Sequence, residues 1–430
     1  MVHIQPTVRT LAILIAGFAT SWGLLNTLGS RTSPENNIAM VEGVNIAEQP
    51  ANMAVPPEQL ARTDYTDNTI AFFEKYSAGD LVTRNEFPHI QINRYQPNTI
   101  SIHLERVALV DIPEKLEPDL ELSMLSIAGS SEQKDIPNIR ILLEKIICAL
   151  RRVWIEELHL TAIYMDQETT SPIGLHTPLC LFKALDMSHI SGPFLEWFCE
   201  VVDLGGCTEG IEVNVVGCNT PSIACLNKLG ISSISNLNIS FLQNLQHFDY
   251  CLPNSAADTC ELKICNLPRN IGVSAVVAKS LAEGIWLNVE MDMDIWNIIC
   301  SAAKRKIGVL EELTLNIVFL EDLQADIDPG VRRWLELQAG SIIFWDCTKE
   351  KMLKRPFFDA VVAWVRVNAS GVMDIEITGI NITTDPELES LWARTPVDVT
   401  GLSNLTTLEV LGVDVPISTN ANPNNPNNFN

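Results

Sequence analysis

Aliphatic residues recur along this chain in one short spacing. An apolar or small residue is followed by two others, an aliphatic, one other, an aliphatic, two others and then usually another aliphatic. The first unit is Thr99, Ile102, Leu104 and Val107, and a clear later one is Leu310, Leu313, Leu315 and Val318. Twelve units follow one another from Thr99 to Val413 on a period of 23 to 33 residues. Matching such a template once is cheap, but keeping it twelve times is not. Alternation of aliphatic and other residues at the centre of each unit predicts a short strand with one buried face. Between units the spacing changes to three and four. Asn138–Arg152, Pro193–Leu204, Ser274–Ala282, Ile295–Lys306, Val331–Gln338 and Phe357–Val367 read as helices on that basis. A strand followed by a helix, repeated near 28 residues, predicts parallel strands side by side with helices on one outer face. Because helices are wider than strands, such a stack is expected to curve.

The segments Leu310–Leu315 (LEELTL) and Ile155–Leu160 (IEELHL) resemble the LxxLxL core of leucine-rich repeats. The period and the helical backs are similar to those of the ribonuclease-inhibitor-like class. The resemblance covers about three quarters of the chain and is carried by repetition rather than by any single unit. It implies an α/β leucine-rich-repeat solenoid over residues 99–415, a horseshoe with a concave parallel sheet and convex helices. The family usually places Asn or Cys at the ninth position of the unit, where it bonds the backbone of the turn. Here Cys218 alone does so, the other units carrying mostly Ile, Leu or Val, and neither end shows a cysteine-rich cap.

The flanks read differently. Arg9 precedes an uncharged stretch from Thr10 to Ser30 with its apolar centre at Leu11–Ala19. Residues 1–30 are therefore expected to be a secretory signal peptide, cleaved after Ala19 or Gly29, or an uncleaved signal anchor. Residues 31–98 are expected to be a linker with a short helical segment near Pro56–Ala78. Residues 416–430, rich in Asn and Pro, are expected to be a disordered tail. The expected location is secreted or membrane-anchored, with membrane contact only through the N-terminal segment. The 11 cysteines point the other way, because they lack CxxC pairs and several fall on apolar helix faces, as reduced thiols do. That leaves a cytoplasmic location as the alternative.

Charge narrows the partner. Asp and Glu number 53 against 29 Lys and Arg, a formal net charge of −24. Such a chain is a poor ligand for nucleic acid, which is bound by cations that displace counterions. A protein partner is expected instead, basic by complementarity. On strands of the repeat, residues alternate with the aliphatic positions and should face the open side. They are Glu105, Glu157, Asp186, Glu212, Glu261, Glu290, Glu312, Asp346, Asp374, Glu376 and Glu409, with Lys263, His103 and His159 as the only opposing groups. Trp286 and Phe344 are expected to project to the same side as partner anchors. The plain alternative is that an exposed sheet simply needs solvated side chains.

Asn-x-Ser/Thr sequons at Asn368, Asn381 and Asn404 are glycosylation candidates, while Asn238 would sit in mid-strand. The seven histidines form no HExxH or similar pair, and neither a nucleophile elbow nor a phosphate-binding glycine loop is present. The alternating run Glu290, Asp292, Asp294 is an incomplete cation site by itself. No enzyme activity, cofactor or metal is expected. The function expected is a non-enzymatic protein-interaction scaffold binding through an acidic concave face. An intracellular leucine-rich-repeat adaptor, presenting a substrate to a larger assembly, is the alternative.

Overall fold

The computed structural model describes residues 64–76, 81–83, 90–92, 99–116, 120–130, 136–166, 177–206, 210–250, 261–323, 339–348, 350, 352–369, 371–380, 382–402 and 404–418. The expected leader or anchor, most of the linker, the helix expected over Val331–Gln338 and most of the Asn/Pro tail lie outside these residues. Within them, no helix is long and apolar enough to cross a membrane.

One mixed α/β architecture results, dominated by a sheet of 13 strands. In chain order these are β1 (Thr99–His103), β2 (Glu121–Ala128), β3 (Trp154–Thr161), β4 (Cys180–Ser188), β5 (Ile211–Val216) and β6 (Ile234–Ser240). They continue as β7 (Glu261–Cys265), β8 (Ile285–Asp292), β9 (Gly308–Ile317), β10 (Ser341–Asp346), β11 (Asp374–Gly379), β12 (Thr407–Val410) and β13 (Val413–Asp414). Each strand is bonded to the next in sequence, so the sheet runs in single file and does not close into a barrel. From β1 to β12 every pairing is parallel, and β13 folds back antiparallel on β12.

A parallel neighbour requires the chain to travel back along the sheet before each new strand. Helices make several of these returns: α2 (Ile139–Ala149), α3 (Gly192–Val201), α4 (Ala275–Glu283), α5 (Met293–Ala303), α6 (Arg355–Asn368) and α7 (Pro386–Trp392), with α1 (Asp64–Tyr76) preceding the sheet. A 3₁₀ turn over Ala224–Leu229 serves between β5 and β6. Helix starts are encoded locally. Ser191 and Ser274 accept the amides of Phe194 and Val277, and Asp385 accepts that of Glu387, the usual task of an N-cap. Ile139, Leu142, Leu143, Ile146 and Ile147 of α2 are buried on one stripe, and this stripe packs into the same core as Leu125, Ile127, Leu158 and Leu160 of the strands. The core thus lies between the helices and one face of the sheet. Among the described residues, no helix packs on the opposite face.

The strands end in a repeated turn. Ala162, His189, Gly217, Phe241 and Asn266 each follow directly on a strand with φ between 53 and 65°. A left-handed residue without glycine costs about 1–2 kcal/mol, and neighbouring strands supply the compensation. The amides of Ala162, His189, Gly217 and Phe241 donate to the last carbonyl of the next strand at 3.0, 2.8, 2.9 and 3.1 Å. Gly129 occupies the equivalent place after β2, where a Cβ would come within 2.2 Å of the Ala162 carbonyl oxygen. Cys218 lies beside Gly217 and donates its thiol to the Met187 carbonyl at 3.3 Å. That is a backbone contact at the unit whose ninth position is cysteine.

Candidate binding face

Strand register sorts the open face into three rows. The row nearest the strand starts runs Thr99, Met124, Glu157, Ala184, Glu212, Asn236, Glu261, Asn288, Glu312, Ser341, Asp374, Thr407. Two residues further along the strands lies a middle row of Ser101, Ser126, His159, Asp186, Asn214, Asn238, Lys263, Glu290, Thr314, Ile343, Glu376 and Glu409. A third row includes Thr161, Ser188, Val216 and Ser240 and, on later strands, Asp292, Asn316, Trp345 and Thr378. Of the expected site residues, Glu157, Asp186, Glu212, Glu261, Glu290, Glu312, Asp374 and Glu376 share this face, as does Glu409.

Four expected positions do not. Trp286 is 1 % exposed and donates its indole N–H to the Leu281 carbonyl at 2.9 Å. The pairing of β8 with β9 shifts between Trp286 and Asn288, with the extra residue on β9, and along β8 Trp286 and Val289 are both buried, so strict alternation fails at this step. Phe344 is fully buried and meets Trp364 of α6 edge to face, with ring centroids 5.5 Å apart. Asp346 follows it on the core side, where it accepts the Thr348 amide at 2.8 Å and is pushed up from the ordinary carboxylate range by burial. The buried set on β10 is Ile342, Phe344 and Asp346, so Ser341, Ile343 and Trp345 take the open face. Glu105 lies beyond the end of β1, exposed in a 3₁₀ turn over Leu104–Arg106.

One sequon also changes standing. Asn368 is buried at the end of α6, its side-chain amide donating to the Trp364 carbonyl at 2.9 Å while its main-chain carbonyl accepts from the buried Lys306. A glycan on that nitrogen has no room. Asn404 is exposed, and Asn381 lies outside the described residues.

No family model, curated protein or solved structure matches the chain. Its chemistry is therefore read from its own geometry.

That geometry separates satisfied carboxylates from bare ones. Burial raises the Glu157 carboxyl, but hydrogen bonds and charge from Lys183 and His159 outweigh it and leave the group below its ordinary value. Lys263 contacts Glu290 at 2.5 Å and stays protonated above its ordinary range despite its own burial. Asp292 is driven up to about 6, chiefly by burial. Its oxygens are occupied by the amides of Asn266 and Leu267 and, at 3.4 Å, by the side chain of Asn316. The acidic run does not converge, because α5 begins at Met293 and Asp294 accepts the Ile295 amide instead. Among the described residues, no three His, Cys, Asp or Glu side chains are placed to hold a metal ion.

Toward β12 the picture reverses. Glu376 is raised by burial, then by Glu409 and Glu312, and among the described residues no cation offsets them. Among the described residues, Glu312, Asp374, Glu376 and Glu409 form no ion pair. Beside them stand Ile343 and Trp345, both half-buried. Sequence reasoning missed Trp345 as a face residue, and an unbroken apolar segment gave no signal that could have found it.

Proposed function

We propose that the chain is a non-enzymatic protein-interaction scaffold of the leucine-rich-repeat type, whose acidic open face docks a basic protein partner. The observation that carries this reading is the registered array of carboxylates on a sheet face that, among the described residues, no helix covers. Carboxylates on adjacent strands repel one another, and like charges directly opposite destabilise a sheet. A surface that keeps Glu312, Glu376 and Glu409 together without a cation gains from a partner that supplies one. Single-file parallel strands with helices on the other face support the solenoid form of this proposal, a horseshoe with the sheet on its concave side. In that form the face is a trough whose field speeds the arrival of cations.

The N-terminal apolar stretch supports export or anchoring through the secretory pathway, with Asn404 as the accessible glycosylation candidate. One observation favours the intracellular adaptor as a second reading. Cys148, Cys180, Cys199, Cys218, Cys225, Cys265, Cys300 and Cys347 are all free thiols. Sequencing of the mature N-terminus decides between them, since a start near residue 20 or 30 excludes the cytosol.

Affinity capture with the full chain tests the docking role. Charge reversal of Glu212, Glu261, Glu290 and Glu312 is expected to abolish capture of basic partners. Reversal of Glu144, Glu196, Glu283 and Asp359, carried by the helices, is expected to leave it intact. Equal loss in both variants would reduce the effect to net charge and remove the docking face.

A further inference from the structure

Resting on that docking reading, we infer that the row nearest the strand starts holds a basic segment in the polyproline II conformation, with a cation at every third residue. In this row a carboxylate stands on every second strand: Glu157 on β3, Glu212 on β5, Glu261 on β7, Glu312 on β9 and Asp374 on β11. Ala184, Asn236, Asn288 and Ser341 are the spacers between them. Neighbouring strands lie about 4.8 Å apart, so the carboxylates recur at about 9.6 Å. A polyproline II helix advances about 3.1 Å per residue with three residues per turn, which places every third side chain on one side at about 9.3 Å. Over the three intervals from Glu212 to Asp374 the two repeats drift apart by about 1 Å. A lysine or arginine side chain absorbs that.

Other conformations fit less well. An extended strand laid across the face presents same-side residues about 6.8 Å apart and falls out of step at the first interval. An α-helix with a cation every seven residues advances about 10.5 Å per repeat and overshoots by about 3 Å over the row.

Two features of the row agree with such a ligand. Glu157 already accepts the Lys183 ammonium, so the first carboxylate makes within the chain the contact inferred for the others. Among the described residues, the next four have only neutral side-chain donors: Asn214 at 2.8 Å on Glu212, Asn288 at 3.3 Å on Glu261, Thr314 at 3.4 Å on Glu312 and Thr406 at 2.9 Å on Asp374. A polyproline II segment also carries backbone carbonyls with no internal partner. The side-chain amides of Asn236 and Asn288, set between the carboxylates, are donors of the right kind. Asn236 turns its oxygen to the Glu261 amide at 3.2 Å, which directs its nitrogen away from that bond.

Fluorescence anisotropy with the full chain at near-physiological salt tests the spacing. The probes are a peptide of four Lys-Pro-Pro units, an isomer with its four lysines contiguous, and a helical alanine-based peptide with lysine at every seventh position. The spaced proline peptide is expected to bind at least tenfold tighter than either of the others. The combined E212Q, E261Q, E312Q and D374N variant should lose that preference. The E290Q, E376Q and E409Q variant should bind all three more weakly and keep it. Equal binding of the three probes by the unaltered chain overturns the spacing inference and leaves the docking face standing. Failure of every basic probe to bind overturns both. The comparison on the unaltered chain decides even where a variant does not fold.

Discussion

The open face has two parts built on one backbone plan and different in charge. From β3 to β8 its carboxylates alternate with His159, Lys183 and Lys263, and the closest pairs neutralise each other. From β9 to β12 the same rows carry Glu312, Asp374, Glu376 and Glu409 with no cation among them, around Ile343 and Trp345. Glu157 and Glu376 make the contrast in one residue type. Both are partly buried, yet Glu157 titrates below its ordinary value and Glu376 above it. Burial pushes both up, and the presence or absence of a nearby cation decides the sign. The difference teaches that an acidic sheet face is not uniform. One part pairs Glu157 and Glu290 internally, and among the described residues the other has no such pair on its carboxylates.

The largest test of this contrast concerns which residues face the open side. Phe344→Ala should cost about 3–5 kcal/mol in denaturant unfolding, as loss of a buried aromatic does, whereas Trp345→Ala should cost under about 1 kcal/mol. The reverse order would put Trp345 in the core and strip the acidic part of its apolar centre.

Next in size is the pH response of Asp292, at the border between the parts. Its folded value of about 6 exceeds its unfolded one, so the folded state binds the proton more tightly. Stability should therefore fall as pH rises from the ordinary carboxylate range through about 6, and level off above it. The change is on the order of 2–3 kcal/mol. Asp292→Asn should flatten that part of the stability–pH curve, and an unchanged curve would assign the dependence elsewhere.

Smaller effects separate the two glutamates. Glu376→Gln should raise stability at neutral pH by about 0.2–1 kcal/mol through relief of repulsion from Glu409 and Glu312. Glu157→Gln should lower it by a similar amount. Their pH dependences are opposite in sign. The contribution of Glu157 is present above the unfolded carboxylate value and lost as pH falls through its lowered folded value. The penalty at Glu376 is absent at low pH and grows as the group ionises. Smallest of all, Lys183→Ala should change stability by a few tenths of a kcal/mol, since the lysine is mostly exposed. It should nevertheless move the Glu157 titration upward in a carboxyl-detected NMR experiment, and no movement would remove the cation from the explanation.

Much of this architecture was legible in the sequence, because each repeat unit carries its own strand pattern and several of the intervals carry a helical stripe. Each of the twelve segments contributes a strand to one sheet, in order. What was not legible follows from specific features. Ser341–Asp346 (SIIFWD) is apolar at four consecutive positions, so its alternation fits either face, and a slip of one residue exchanged Phe344 for Trp345. Trp286 was misplaced because alternation breaks between Trp286 and Val289, beside a register shift that no residue type announces. Glu105 was placed on a strand that ends two residues earlier, at His103. Asn368 fits a sequon by triplet alone, and only the packing of α6 shows its amide to be enclosed.

Carboxyl footprinting of the full chain tests the central claim most directly. Carbodiimide labelling with and without a bound lysine-rich peptide, read residue by residue by mass spectrometry, locates the contact. Protection is predicted at Glu212, Glu261, Glu312 and Asp374, with Glu144, Glu283 and Asp359 on the helices labelled as before. Protection of the helix carboxylates, with the open-face residues still fully labelled, would contradict the account.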